Sequence, residues 1–116
     1  MSFWVYLRNE KDSPVKVKKH EEGGTRVLGG TDDAELNVTY NYSRYFYKHL
    51  SPRKGLRWLD GKKASNTIGR LEKAVKELGV QRDVDYWATT NGNAGYALSI
   101  LLDWAKQHTK AIFYVS

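Results

Sequence analysis

Leu-Asn-Val-Thr-Tyr-Asn-Tyr-Ser-Arg-Tyr-Phe-Tyr, residues 36–47, is the stretch of this chain that decides the fold. Apolar and polar side chains alternate up to Ser43, and this period of two predicts a β-strand. One face of the strand carries Leu36, Val38, Tyr40 and Tyr42, and the other carries Asn37, Thr39, Asn41 and Ser43. Amides and hydroxyls both donate and accept hydrogen bonds without carrying charge. The polar face therefore predicts a surface that recognises a ligand.

The positive charge of the chain is concentrated directly after this stretch. The formal net charge is +6, whereas residues 44–73 hold nine basic and two acidic side chains and so carry a net charge of +7. Such a local field concentrates anions, which makes phosphate, a nucleotide, nucleic acid or an acidic protein surface the candidate partner. A solvated surface that keeps the protein soluble is the alternative interpretation of the same charge.

The length and composition predict one soluble domain. A chain of 116 residues is long enough to bury a core, so we expect a single domain over residues 1–116. The absence of Cys excludes disulfides, zinc–thiolate sites and a thiol nucleophile. The apolar run at the N-terminus is too short for a signal peptide or a membrane span. We therefore expect a cytoplasmic protein with no membrane partner.

The remaining patterns predict an α+β domain with an antiparallel sheet of about four strands and two main helices packed on it. Ser43 and Asn93 are the predicted helix N-caps, and Gly79 is a predicted C-cap. The expected elements are a strand over 3–8 joined by a turn to a strand over 15–18, the strand over 36–43, a helix over 43–50, a helical turn over 56–59, a helix over 64–78, a loop over 82–90, a helix that begins at 91–93, and a strand over 111–115.

Several loop motifs are candidate sites. Residues 55–65 resemble a phosphate loop, but five residues separate the glycines and Lys63 stands where Ser or Thr is required, so a nucleotide triphosphatase is not expected. Gly61-Lys62-Lys63 before a helix predicts an anion site at the helix N-terminus, with solvated lysines as the alternative. His20 beside the glycine-rich run to Thr25 predicts a ligand contact, with a plain turn as the alternative.

The chain carries no sign of an enzyme. Asp83 and Asp85 could form an acid–base pair, but no nucleophile or oxyanion site accompanies them, so an acidic loop is favoured. The three histidines share no metal-ligand spacing, and no cofactor fingerprint is present. We therefore expect no cofactor and no metal.

Several motifs resemble those of a family of small uncharacterised proteins from bacteriophages and prophages. The motifs are His20…Gly23-Gly24-Thr25, Gly29-Gly30-Thr31, Leu36-Asn37-Val38-Thr39-Tyr40-Asn41-Tyr42, Asp60-Gly61-Lys62, Asp85-Tyr86-Trp87-Ala88-Thr89 and Gly92-Asn93-Ala94. The family's Gly-Lys-Thr is Gly61-Lys62-Lys63 here, so no role of that threonine is carried over. The resemblance implies a phage accessory protein, and many such proteins act against host defence by binding a host protein or sequestering a nucleotide signal.

These observations favour a non-enzymatic domain that captures a phosphate-bearing small molecule, plausibly a nucleotide-derived immune signal of a bacterial host. In this hypothesis the polar row recognises the ligand, a tyrosine stacks on a base, and basic side chains neutralise phosphate. The predicted binding residues are His20, Thr25, Asn37, Thr39, Asn41, Tyr42, Arg44, Arg57, Lys62 and Asn93.

Two further hypotheses and one assembly state follow from the same residues. Tyr45, Tyr47 and Trp58 lie among the basic residues 44–73, a pattern that suits nucleic acid. An inhibitor that docks directly on a host protein is the third hypothesis. The aromatic content of the chain, 13% of its residues, predicts a symmetric homo-oligomer, most simply a dimer.

Overall fold

A computed structural model, which describes residues 1–20 and 27–116, confirms the α+β class. The main sheet has three antiparallel strands in the order β4-β1-β5, and β2 and β3 form a second antiparallel pair. The strands are β1 (Ser2–Arg8), β2 (Lys16–His20), β3 (Thr31–Asp33), β4 (Glu35–Thr39) and β5 (Ile112–Val115). The helices are α1 (Ser43–His49), α2 (Ile68–Leu78) and α3 (Asn91–Gln107), with 3-10 turns at Tyr40–Tyr42, Gly55–Leu59 and Ala64–Asn66.

Strand β1 is the centre of the sheet. Its residues alternate, so that Phe3, Val5 and Leu7 are buried in a core shared with the helices. Val5 lies opposite Leu36 of β4 on one side and Val115 of β5 on the other. A single sheet of about four strands was predicted, and the structure has three strands plus a separate pair.

The hairpin predicted between residues 3–8 and 15–18 is wrong. The second segment touches β1 only around Leu7 and Arg8, through the Arg8–Pro14 bridge and a bond from Val15 N to Leu7 O. Proline has no N–H to donate and therefore interrupts the ladder. The chain turns away after Pro14, and β2 pairs with β3 instead.

The tyrosine-rich stretch divides at Thr39 instead of continuing as a strand to Ser43. The Thr39 hydroxyl accepts a hydrogen bond from Asn41 N (3.2 Å) and caps the turn Tyr40–Tyr42, which leads directly into α1. Because the helical path has already begun at Tyr40, Ser43 is not an N-cap, and α1 begins without a side-chain cap. The predicted burial of Leu36 and Val38 is confirmed, but the alternation fails at Thr39, which is buried although it belongs to the predicted polar face.

Helices α2 and α3 pack against each other at very short range. Leu71 and Leu78 of α2 are buried as predicted, and Gly79 ends the helix with a φ of 77°. A β-carbon on Gly95 of α3 would lie 1.8 Å from the Gly79 carbonyl oxygen, and one on Gly92 would lie 1.7 Å from the Gln81 carbonyl oxygen. The approach of α3 to this backbone therefore requires glycine at both positions.

Side chains and a neighbouring loop cover both outer edges of the main sheet. Beside β5, Gly61 N donates to Phe113 O (2.8 Å) and Phe113 N donates to Lys62 O (2.9 Å). Beside β4, the carbonyls of Glu35 and Asn37 accept from side chains, at 2.7 Å from His20 Nε2 and 3.1 Å from the Tyr86 hydroxyl. Among the described residues, no helix has the length and apolar character needed to cross a lipid bilayer.

Candidate phosphate-binding surface

The nine basic side chains of residues 44–73 gather on α1, α2 and the turns between them, and we call this set the basic surface. Eight of the nine are exposed and Lys62 is half-buried. Within the described part of the chain, none of the nine forms an ion pair with a carboxylate. The members are Arg44, Lys48, Arg53, Lys54, Arg57, Lys62, Lys63, Arg70 and Lys73.

The two acidic residues of this segment are engaged elsewhere. The Asp60 carboxylate accepts a hydrogen bond from Val115 N (2.9 Å), and Glu72 pairs with Lys106 of α3 (3.6 Å). Neither carboxylate is paired with one of the nine cations, so the basic surface keeps its positive field.

The elements that carry the basic surface contact each other. An Arg70 guanidinium nitrogen donates to Leu50 O (3.3 Å), which joins α2 to the end of α1. The Tyr47 ring packs on the backbone of Gly55, where a β-carbon would lie 3.3 Å from the ring. These contacts join α1, the 3-10 turn Gly55–Leu59 and α2 to one another.

Aromatic rings lie among these cations. The Lys62 ammonium is 5.0 Å and the Arg70 guanidinium carbon is 4.6 Å from the centre of the Trp58 ring, both within the range of cation–π attraction. Arg44 lies over Tyr45 at 4.9 Å. The Tyr47 side chain is 45% exposed. Two like charges held at one ring repel each other, and a bound anion would relieve that repulsion.

The predicted helix N-terminal anion site beside Lys62 and Lys63 is not formed. Helix α2 begins at Ile68, after a 3-10 turn. The amides of Gly61, Lys62 and Ala64 donate to the carbonyls of Phe113, Leu59 and Ala111. Lys62 therefore contributes to the basic surface through its ammonium group, which lies over the Trp58 ring. The backbone amides around it cannot hold an anion because they are already bonded within the protein.

The polar row predicted at Asn37, Thr39 and Asn41 is not one solvent-facing row. Thr39 is buried and caps a turn, and Asn37 Nδ2 donates to Ser2 Oγ (2.5 Å). Asn41 is exposed on the turn Tyr40–Tyr42, where its Nδ2 donates to Trp87 O (3.0 Å). All three side chains therefore take part in hydrogen bonds within the protein.

Asn93 and Tyr42 hold the loop over residues 83–90. Thr90, not the predicted Asn93, is the N-cap of α3. The buried Asn93 amide accepts from Asp83 N (2.8 Å), and its Nδ2 lies within hydrogen-bond distance of three carbonyls, Asp85 (3.0 Å), Tyr86 (3.3 Å) and Ala88 (3.0 Å). The Tyr42 hydroxyl donates to Tyr86 O. These contacts assign both side chains to loop packing.

Burial raises the pKa of both tyrosines at this loop. The pKa of Tyr42 rises because its phenol is desolvated, with smaller contributions from Tyr86 and Asp85. Desolvation also raises the pKa of Tyr86. The neutral phenols donate the hydrogen bonds that fix the loop.

The other predicted residues lie apart from one another. His20, at the end of β2, faces a different groove on α3. Arg57 lies over the Phe3 ring at 4.9 Å, at the end of the basic surface nearest β1. Thr25 lies outside the described residues. Of the ten predicted residues, Arg44, Arg57 and Lys62 belong to the basic surface, and the structure does not gather all ten in one pocket.

Some features of the region were not predicted. Asp83 and Asp85 each accept a backbone amide, those of Asp85 and Trp87, so these carboxylates shape the loop. The contact of Arg70 with Trp58 was also missed, and only the placement of both inside residues 44–73 hinted at it. The described residues contain no group of three or more His, Cys, Asp or Glu side chains placed to hold a metal ion.

Comparisons of this chain with protein-family models, with curated proteins and with solved structures give no match. The resemblance to phage and prophage proteins accordingly remains a prediction.

Proposed function

We propose that this protein is a non-enzymatic binding domain whose partner is single-stranded nucleic acid, held on the basic surface. The observation that carries the proposal is that nine cations lie on contacting elements of the fold and that, among the described residues, none of them forms an ion pair with a carboxylate. Phosphates of a nucleic-acid backbone would neutralise these cations and release the counterions around the strand.

Phosphate is the partner chemistry that suits these side chains. Five of the nine are lysines and four are arginines, and the arginine guanidinium can bind two phosphate oxygens at once. Tyr47 adds an exposed ring face on which bases of any sequence can stack, while the Trp58 ring holds Lys62 and Arg70. An acidic protein surface would use the charges but not the rings.

The extent of the surface favours a strand over a small molecule. Its cations reach from Arg44 in α1 to Lys73 in α2, and one small ligand contacts only a few of them. Two cavities, of about 510 and 480 Å³, are lined by residues outside the basic surface. Capture of a small nucleotide by the predicted row is less well supported, because Asn37, Thr39 and Asn41 already bond within the protein.

The phage resemblance supplies the biological setting of the proposal. An accessory protein in the cytoplasm of a bacterial host would meet single strands during replication or transcription. Direct docking on a host protein remains the alternative that predicts no dependence on nucleic acid.

Fluorescence anisotropy with labelled oligodeoxythymidine strands of increasing length tests the proposal. Affinity should rise with length and fall with salt, with a slope of about −0.7 per phosphate contacted. The double variant Lys62→Ala/Lys63→Ala should lose roughly ten- to hundredfold in affinity and show a shallower slope.

A charge-matched control separates the surface from net charge alone. Lys11→Ala/Lys110→Ala removes the same two charges from exposed positions outside the basic surface. This control should bind like the parent, apart from a small loss of long-range attraction. Equal losses in both double variants, or affinity that does not depend on strand length, would overturn the proposal.

A further inference from the structure

A second candidate site, separate from the basic surface, lies in a groove of about 480 Å³ between the end of β2 and one face of α3. This volume lies within the range of small-molecule sites. None of its lining residues belongs to residues 44–73. The groove can therefore be tested independently of the proposed function.

The floor of the groove is apolar and aromatic. Tyr96, Ile100 and Trp104 recur at intervals of four residues, which places them on one face of α3. The His20 ring packs against Trp104 with 5.4 Å between ring centres. His20 is held in place by its Nε2, which lies 2.7 Å from Glu35 O. A flat ring of a ligand would meet complementary surface here.

Two lysines without ion pairs line the β2 side of the groove. Lys16 of the same strand bonds to Asp32 (3.3 Å) and Asp33 (2.5 Å), so its charge is neutralised. Lys18 and Lys19 line the groove, are exposed, and form no ion pair within the described residues. Ammonium groups that line a groove favour a phosphate as the ligand.

The α3 side of the groove supplies groups that accept hydrogen bonds. Asp103 offers a carboxylate, which accepts a hydrogen bond from the Gln107 amide (3.1 Å). Ser99 Oγ donates its proton to Tyr96 O (2.6 Å), which leaves its lone pairs as acceptors. A ligand with an amino group would satisfy these acceptors.

We propose that this groove binds a mononucleotide whose base carries an exocyclic amino group. Lys18 and Lys19 bind the phosphate, the base lies against Tyr96 and Ile100, and the amino group donates to Asp103. The groove is lined by lysines, by aromatic rings and by hydrogen-bond acceptors. A ligand that combines a phosphate, a base and an amino group would contact all three kinds of group. Adenosine monophosphate is the simplest probe with these features.

Amide chemical shifts in ¹⁵N-labelled protein measure the binding with four probes: adenosine monophosphate, inosine monophosphate, adenosine and inorganic phosphate. Saturable shifts should occur at β2 and at residues 96–104. Adenosine monophosphate should bind most tightly of the four. Inosine monophosphate lacks the amino group, adenosine lacks the phosphate, and inorganic phosphate lacks the base.

Variants assign each part of the ligand. Lys18→Ala/Lys19→Ala should weaken adenosine monophosphate about tenfold or more and remove its advantage over adenosine. Asp103→Ala should remove its advantage over inosine monophosphate. Lys62→Ala/Lys63→Ala should leave the binding unchanged, whereas it weakens strand binding under the proposed function.

Three outcomes would overturn the groove site. The first is the absence of saturable shifts with adenosine monophosphate. The second is a set of shifts confined to residues 44–73, which would assign the nucleotide to the basic surface. The third is equal affinity for inorganic phosphate and adenosine monophosphate, which would leave only an unspecific anion contact at the lysines.

Discussion

A β-carbon on Gly95 would lie 1.8 Å from the carbonyl oxygen of Gly79, so α3 touches the backbone that follows α2. The Gly95→Ala variant must push these backbones apart, because neither neighbour is a movable side chain end. We expect a loss of about 3 kcal/mol or more in the free energy of unfolding, measured by urea denaturation. Gly69→Ala is the matched control, since nothing lies within 4 Å of its β-carbon position in α2. The control should gain about 0.5–1 kcal/mol, and equal midpoints for the two variants would contradict the close approach.

Removal of the Asn93 amide should release the loop over residues 83–90. Asn93→Ala leaves the Asp83 N–H without its acceptor and removes one of the two donors to each of the carbonyls of Asp85 and Ala88. We expect a loss of about 2–3 kcal/mol in stability and faster amide exchange in the loop. Asn91→Ala, at an exposed position of the same helix, should have neither effect. Unchanged exchange in Asn93→Ala would show that the loop is held by other contacts.

The buried phenol of Tyr42 should make stability fall at alkaline pH. Its pKa is raised in the folded protein, so the folded state holds the proton more tightly than the unfolded chain does. The resulting stability is complete below the unfolded pKa of about 10 and is lost as the pH rises above it. Chemical denaturation at several pH values should show this fall in the parent and a flatter profile in Tyr42→Phe. Identical profiles above pH 10 would rule out Tyr42 as the cause.

Stacking on Tyr47 should contribute to strand binding. The side chain is 45% exposed on the basic surface, and Tyr47→Ala should lower the affinity for oligodeoxythymidine by roughly five- to hundredfold. Tyr114, which is 39% exposed on β5, provides the control, because it lies outside residues 44–73. Equal effects of Tyr47→Ala and Tyr114→Ala in the anisotropy titration would argue against a stacked base at Tyr47.

The sequence supported the fold better than it supported the pairing of strands. Apolar spacing predicted the buried faces of α2 and α3 because helix burial depends on local periodicity. Pairing depends on which distant segment reaches each edge of β1, and Pro14 ended the expected hairpin. The end of β4 was missed for a related reason, since the hydroxyl of Thr39 caps a turn that alternation alone does not reveal.

The candidate site was predictable in charge but not in geometry. The count of basic residues located the surface, because nine cations in thirty positions cannot all find partners nearby. The polar residues were assigned wrongly as a row because their partners, such as Trp87 for Asn41, lie far away in sequence. The sequence did not predict the groove between β2 and α3, because its lining residues are also far apart along the chain, although His20 was among the predicted residues.

The predicted homo-oligomer stays a prediction with a direct measurement. Three of the aromatic side chains, Tyr47, Trp87 and Tyr114, are exposed and available for contact between copies. Light scattering should give about twice the chain mass of 13.3 kDa for a dimer. A monomer mass at all concentrations would show that these rings do not hold copies of the chain together.

The covered edges of the main sheet limit how this protein can meet other chains. Phe113 is already bonded to residues 61 and 62, and the outer carbonyls of β4 are bonded to His20 and Tyr86. An incoming peptide would have to displace these bonds before it could add a strand to either edge. Fibril growth by edge-to-edge stacking meets the same barrier.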